Sequence, residues 1–273
     1  MLTTPPLNFL GNKHKFRNLL KDIFKQYPSN FIFVDLFGGS GYLSYIAKFT
    51  CKNNRVIYND YDHYSDRLLH INETEEILSK IKEMIKNENI IRKNERLNDN
   101  LANEIKKLLK EKKDKGEYVD WITISSQLCF TMNTCHNYKE FENKNLYNNP
   151  KKASLNTCGN YLDGIEIVHM DWKELYNKYE NEEHVIFLID PPYPNTLTEQ
   201  YKNNITEEEN LKLLDILHDK ENVFYFTSSK SRMLELFSWK YNKEEIKIIN
   251  NVNGTGNYKS YYDYCLYKIN LEQ

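Results

Sequence analysis

Val185-Ile186-Phe187-Leu188-Ile189-Asp190-Pro191-Pro192-Tyr193 is the stretch that decides the fold. Five apolar residues in a row have no polar face. A strand of this kind is buried on both sides, the signature of a parallel sheet covered by helices. The two prolines fix φ twice and remove two backbone donors, so the strand ends there. Asp190 is thereby delivered to the carboxyl end of a central strand.

Working outward, Phe31-Ile32-Phe33-Val34 reads as a second buried strand, running through Asp35 into Phe37-Gly38-Gly39-Ser40-Gly41. Tyr42 to Thr50 then reads as a helix. Strand, glycine loop and helix in this order open a nucleotide-binding α/β unit. Arg55–Asn59 and Ile165–His169 read as further strands, ending at Asp60 and near Asp171. Val223–Thr227, Ile246–Ile249 and Tyr261–Ile269 complete a set of seven. Thr206-Glu207-Glu208-Glu209 is a capping box that opens a helix through His218. Asn253 to Asn257, with two glycines, reads as a turn between the last two strands. The expected fold is therefore α/β, with a Rossmann-like, mostly parallel, seven-stranded sheet.

Between about 71 and 160 the alternation stops. Ile77, Ile81 and Ile85 recur every four residues, as do Leu101, Ile105, Leu108 and Leu109, which predicts two amphipathic helices. Trp121–Phe130 is more apolar, and Asn- and Tyr-rich loops follow from Asn133 to Asn149. This stretch reads as an inserted, mainly helical subdomain.

A chain of 273 residues with 40% hydrophobic residues can build a large core. No run of about 18 apolar residues predicts a membrane span, and Met1–Lys15 has no apolar stretch of signal-peptide length. A cytoplasmic location is the default expectation. The five cysteines lack CxxC pairing, and Cys129, Cys135 and His136 match known zinc-ligand spacings poorly, so no metal is expected. The net charge is −2, but residues 91–160 carry 13 Lys and Arg against 9 Asp and Glu. That middle could face a phosphate backbone; a solvated Lys-rich helix gives the same count.

Three strand ends carry candidate chemistry. The glycines of Asp35–Gly41 let the backbone approach a ligand closely, and the following helix offers unpaired N–H groups. This suits the methionine part of a nucleoside cofactor, or an ordinary tight turn. Asp60 can accept from both ribose hydroxyls or serve as a solvated acid or helix cap, and Asp62 competes for the role. Asp190 and the Pro191 carbonyl form a rigid pair of acceptors for one amino group, favouring an sp³-like nitrogen whose lone pair faces a methyl donor. Tyr193 offers a ring for stacking a base, worth about 1–3 kcal/mol.

Five short motifs in order resemble the Dam-like DNA N6-adenine methyltransferase family. Asn8-Phe9-Leu10-Gly11-Asn12-Lys13 is similar to that family's N-terminal cofactor motif, and Asp35–Gly41 to its glycine motif. Asn59-Asp60 resembles the ribose-binding acid, Met170-Asp171-Trp172 the Asp-aromatic pair that holds the cofactor's adenine, and Asp190–Tyr193 the catalytic motif. The resemblance implies a cofactor, S-adenosyl-L-methionine, and a substrate, adenine N6 in duplex DNA, flipped into a pocket at Asp190-Pro191-Pro192-Tyr193. It implies that Phe9, Gly11 and Lys13 flank the cofactor, Lys13 toward its carboxylate. Asp35, Phe37 and Gly39 would pack on the methionine part, Asp60 would hold the ribose, and Asp171 and Trp172 the adenine. Phe9 and Trp172 can also be read as core aromatics, and Lys13 as a surface lysine. Residues 1–70 and 160–273 would form the catalytic domain and 71–159 the target-recognition subdomain. A restriction–modification setting leaves room for a partner restriction endonuclease. RNA adenine, cytosine N4 and a catalytically silent nucleic-acid-binding relative are the alternatives. The insertion lacks the family's Arg- and Asn-containing recognition hairpin in clear form; Tyr147-Asn148-Asn149-Pro150 with Lys151-Lys152 echoes it in part.

Overall fold

Residues 1–9, 11, 13–88, 94–130, 133–148, 155, 160–192, 205–241, 246–253 and 261–271 are described by a computed structural model of the chain. All seven expected strands form: β1 (Ile32–Asp35), β2 (Arg55–Asn59), β3 (Glu166–Val168), β4 (Val185–Ile189), β5 (Val223–Ser228), β6 (Lys247–Asn253) and β7 (Tyr261–Lys268). They join one sheet in the order β3-β2-β1-β4-β5-β7-β6. Neighbours from β3 to β5 pair in parallel, and β7 runs antiparallel to both β5 and β6. The apolar run at 185–189 therefore lies in the middle of the sheet, fully buried along its length.

Alternation along the strands builds two cores. Val34, Val185, Phe187, Ile189, Val223 and Tyr225 pack with Trp172, Leu175 and Tyr179 of α8 (Trp172–Tyr179), with Leu213, Leu214 and Leu217 of α9 (Glu207–Asp219), and with Met233 and Phe237 of α10 (Met233–Lys240). On the opposite face, Phe33 and Phe224 meet Phe24 of α1 (Arg17–Phe24), at 4.9 and 5.1 Å between ring centroids. α2 (Tyr42–Thr50) packs beside α1 against β1 and β2. The Thr206–Glu209 capping box is present and starts α9.

One strand boundary differs from the sequence reading by more than a single residue. β6 continues through Asn250, Asn251 and Asn253, a polar stretch with low strand propensity, because each residue has a register partner on β7. Pairing with a long neighbour overrides propensity at an edge. The rest of the expected turn, Gly254–Asn257, lies outside the described residues.

By packing, the chain divides into two compact units. The first comprises 1–5, 11–64 and 162–273 and contains the sheet; the second comprises 6–10 and 65–161. The second unit holds α4 (Ile71–Asn87), α5 (Asp99–Asp114), α6 (Trp121–Leu128) and α7 (Tyr138–Phe141), and α3 (Tyr64–Leu69) lies at the junction. Its core joins Ile77, Ile81 and Ile85 to Leu101, Ile105, Leu109, Ile124 and Leu128. The Asn98 side chain caps α5 and the Asp120 side chain caps α6. Residues 6–10, expected with the catalytic part, group with the helices instead. The reason is a tertiary contact: Arg67 donates from Nη2 to the Asn8 carbonyl at 3.1 Å, while Nε and Nη2 are held by Asp120 Oδ2 at 3.2 and 3.1 Å.

Candidate active site

The site of the sheet unit is built at the carboxyl ends of β1, β2 and β4. Pro191 is buried and Pro192 half-buried where β4 stops. Asp190, with 18% of its side chain exposed, is ion-paired at 2.7 Å to Lys13, whose side chain is only 4% exposed. Lys13 precedes a 3₁₀ turn, His14–Phe16, whose Phe16 amide donates to the Lys13 carbonyl. Phe16 is buried edge-on to Phe226, and the Lys13 ammonium lies 5.8 Å from that same ring. Its Nζ also donates to the carbonyl of Gly11, a glycine at φ 79°. Apolar walls and two acceptors thus fix the cation on Asp190.

At the end of β1, Asp35 is fully buried. Its Oδ2 accepts from the Ser44 hydroxyl at 2.8 Å, while Oδ1 meets no hydrogen-bond partner among the described residues. Burial raises its carboxyl to about 7; the Ser44 bond opposes this and the negative charge of Asp190 adds to it. The loop that follows is tight. The Gly41 amide donates to the Gly38 carbonyl at 2.7 Å, and Gly39 and Gly41 adopt φ 51° and 69°. A Cβ on Gly38 would stand 2.1 Å from two ring carbons of Tyr58 and 2.8 Å from the Asn59 carbonyl oxygen. The glycine is therefore required by close approach to β2.

At the end of β2, Asp60 is fully buried and its Oδ1 accepts from the Tyr64 amide at 2.6 Å. The Tyr58 hydroxyl lies between that same Oδ1 (2.9 Å) and the Gly39 carbonyl (2.7 Å), tying the glycine loop to the acid. Asn59 braces three strand ends: Nδ2 donates to the carbonyls of Leu36 and Met170, and Oδ1 accepts from the Met170 amide. The His169 ring contacts the Asp60 carbonyl through Nδ1 at 2.8 Å and stacks on His63.

The remaining candidates fall as follows. Asp171 is exposed and caps α8 by accepting from the Lys173 amide at 2.8 Å. Trp172 is 8% exposed in the core and packs on half-buried Phe37 at 5.7 Å. Phe9 is half-buried in the helical unit. Tyr193 lies outside the described residues, as does most of Tyr147–Lys152; Tyr147 bridges to Arg96 in a short antiparallel ladder. Sequence reasoning missed Tyr58 and Ser44. Tyr58 sits in an apolar run and reads as core, and Ser44 gives no signal until its helix is docked against Asp35. The buried Tyr225 hydroxyl is a third miss. It has no hydrogen-bond partner among the described residues, and burial and then Asp190 raise its pKa. Among the described residues no group of three metal-ligating side chains occurs, and no helix is long and apolar enough to cross a membrane.

These features fit a cationic nucleoside cofactor. Asp35 Oδ1 offers an acceptor in need of a donor, the glycines leave room for close backbone approach, and Asp60 is an oriented acid at the end of the next strand. A seven-stranded sheet of this order, with a glycine loop after β1 and Asp-Pro-Pro after β4, defines an α/β methyltransferase. The chain belongs to the D12 class N6 adenine-specific DNA methyltransferase family, whose profile matches residues 9–255. A Haemophilus influenzae (strain Rd) protein, provisionally named a methyltransferase, is 30% identical over 244 residues, covering 86% of this chain and 79% of its own. A solved rRNA methylase from Streptococcus thermophilus covers 99% of both chains at 10% identity and a TM-score of 0.34, too distant to bear on substrate. Family and fold together imply a cofactor of the S-adenosylmethionine type.

Proposed function

We propose that the chain transfers a methyl group from S-adenosyl-L-methionine to N6 of adenine in DNA, with the adenine turned out of the duplex. One observation carries the reading: the Asp190 carboxylate is held by buried Lys13 at the end of the central strand, beside the glycine loop. When bound, the cofactor supplies an electrophilic methyl group on a sulfonium centre. Asp35 would accept from its ammonium group, Phe37 and Gly39 would face its methionine part, and Asp60 would hold the ribose. Asp171 and Trp172 would meet its adenine, with Gly11 and Lys13 along the remaining side.

The residues of the chain do the rest by orientation and electrostatics. Asp190 and the Pro191 carbonyl accept from the two amino hydrogens of the target. This turns the nitrogen lone pair toward the methyl donor and disfavours its delocalisation into the ring. The nitrogen would gain the methyl carbon in exchange for the donor's carbon–sulfur bond and would lose one proton, which Asp190 would accept. Tyr193 stacks on the base, and the extrusion cost of a few kcal/mol is offset by those contacts. The helical unit is the target-recognition part.

The test is label transfer from tritiated cofactor into matched DNA and RNA oligonucleotides, followed by base analysis. N6-methyladenine in DNA is the expected product. Label in RNA alone, or N4-methylcytosine, would overturn the reading. Asp190→Ala is expected to lower the transfer rate by about 10³-fold while S-adenosylhomocysteine still binds in calorimetry.

A further inference from the structure

Beyond the pocket, the same edge of the sheet carries two lysines that the methyl-transfer chemistry does not use. Lys15 and Lys230 are both exposed. Lys15 Nζ donates to the Val252 carbonyl near the end of β6 at 2.5 Å. Val252 is the register partner of Tyr262 on β7. The Ser229 amide donates to the Tyr262 carbonyl at 2.8 Å and the Ser229 hydroxyl oxygen accepts from the Tyr262 amide at 2.9 Å. This ties the turn after β5 to the same residue. Lys230, next in that turn, lies 3.7 Å above the ring of Tyr261. Two long side chains from distant parts of the chain are thus gathered around the start of β7.

Both lysines are pinned by neutral partners, a carbonyl and a ring. Their conformational freedom is already reduced while their charges stay available, which lowers the entropic cost of engaging an anion. Asp263, half-buried between them, supplies one negative charge; burial raises its carboxyl and Lys13, Lys15 and Lys230 pull it back. Lys13 is itself engaged by Asp190. His14 beside Lys15 is held below its ordinary value, chiefly by burial and further by the charges of Lys15 and Arg17. Asp190 follows Ile189, which pairs with Tyr225, so it is level with Phe226 and Cys265; Tyr262 lies three residues from Cys265 on β7, and the lysines stand toward the same end of the sheet as Asp190.

We propose that Lys15 and Lys230 form a phosphodiester-binding pair that grips the sugar–phosphate backbone beside the methylated nucleotide. This rests on the reading of the chain as a methyltransferase acting on a polynucleotide. The pair makes substrate recognition depend on a backbone phosphate and not only on the base, so free adenosine is a poor substrate. Phosphate contacts carry no sequence information; they fix register on the strand.

The test uses the full chain, wild type and the variants Lys15→Gln, Lys230→Gln, the double variant and Lys15→Arg with Lys230→Arg. Binding to a labelled adenine-containing duplex and to a single-stranded RNA of the same sequence is measured by anisotropy over a range of salt. Each phosphate contact contributes a slope of about 0.9 in log K against log salt for duplex DNA, and about 0.7 for a single strand. The double Gln variant is expected to lose about 1.8 of the duplex slope, and the Arg variant to keep it. S-adenosylhomocysteine affinity and melting temperature are expected to stay at wild-type values. A wild-type slope that the double variant leaves unchanged overturns the phosphate pair alone, and so does a loss of S-adenosylhomocysteine affinity in place of nucleic-acid affinity. A wild-type protein that binds neither polynucleotide overturns the pair and the substrate reading together. The loss appearing with RNA and not with duplex keeps the pair and moves the substrate.

Discussion

Replacing Lys13 by Met keeps the stem and removes the charge that Asp190 faces at 2.7 Å. Removing one partner of a buried ion pair costs about 3–5 kcal/mol, because the other charge stays desolvated. Asp190 retains 18% exposure, so water recovers part of that, and the expected loss lies near the lower figure, about 3 kcal/mol. Asp190→Asn strands Lys13 at 4% exposure, so its expected loss is greater, about 4 kcal/mol. The double variant has no charge to strand, and its loss should fall short of the sum of the singles by about 2–3 kcal/mol. Thermal unfolding of the cofactor-free protein measures this, at about 2–4 °C per kcal/mol for a chain of this size. Additivity within about 0.5 kcal/mol would refute the pairing. It would fit instead a Lys13 that faces the cofactor carboxylate, whose replacement weakens S-adenosylhomocysteine binding and leaves the free protein's stability nearly unchanged.

Two further outcomes follow from the glycine loop and its buried acid. Asp35, raised by burial to about 7, holds its proton more tightly folded than unfolded. Its contribution to stability is therefore complete below the ordinary value of 3.8 and is lost as pH rises through about 7. Asp35→Asn keeps an acceptor for Ser44 and removes this dependence, so its melting temperature relative to wild type should climb from pH 5 to 8; a pH-independent difference refutes the assignment. Gly38→Ala drives a methyl group into the Tyr58 ring and the Asn59 carbonyl, and is expected to cost about 3 kcal/mol and to weaken S-adenosylhomocysteine binding, as read by unfolding and calorimetry. Gly116→Ala, where φ is 75° but no atom lies within 4 Å, pays only the backbone strain, about 1 kcal/mol, and gives the comparison.

The strands were legible because their signals are local. Continuous apolar runs at 31–34 and 185–189 are what two-sided burial demands, and both lie in the sheet interior. The end of β6 was not legible, since Asn250–Asn253 become a strand only through their partners on β7. The acids at 35 and 190 could be placed at strand ends from glycine and proline punctuation, and Asp60 from the end of the apolar run before it. Their environments could not. That Lys13 meets Asp190, or that buried Asp35 lies in the field of Asp190, depends on contacts across 177 and 155 positions of sequence, respectively. The assignment of residues 6–10 to the helices rests likewise on Arg67, a residue whose role no local pattern announces.

Register explains why these distant acids lie on one face of the sheet. Asp35 on β1 is the partner of Tyr58 on β2 and of Leu188 on β4, so those three side chains share one face of the sheet. Asp60 follows Tyr58 by two positions and Asp190 follows Leu188 by two, so period-two alternation returns both acids to the face of Asp35 at the next step. The Tyr58 hydroxyl bonded to Asp60 agrees with this parity, and so does the charge of Asp190 acting on Asp35. Asn59, of opposite parity, is left to brace the strand ends through Leu36 and Met170. A one-residue slip of β4 against β1 would turn Asp190 to the other face and away from Lys13. The buried alternation of β4, with Ile186 and Leu188 on one side and Val185, Phe187 and Ile189 on the other, is thus what sets Asp190 against Lys13.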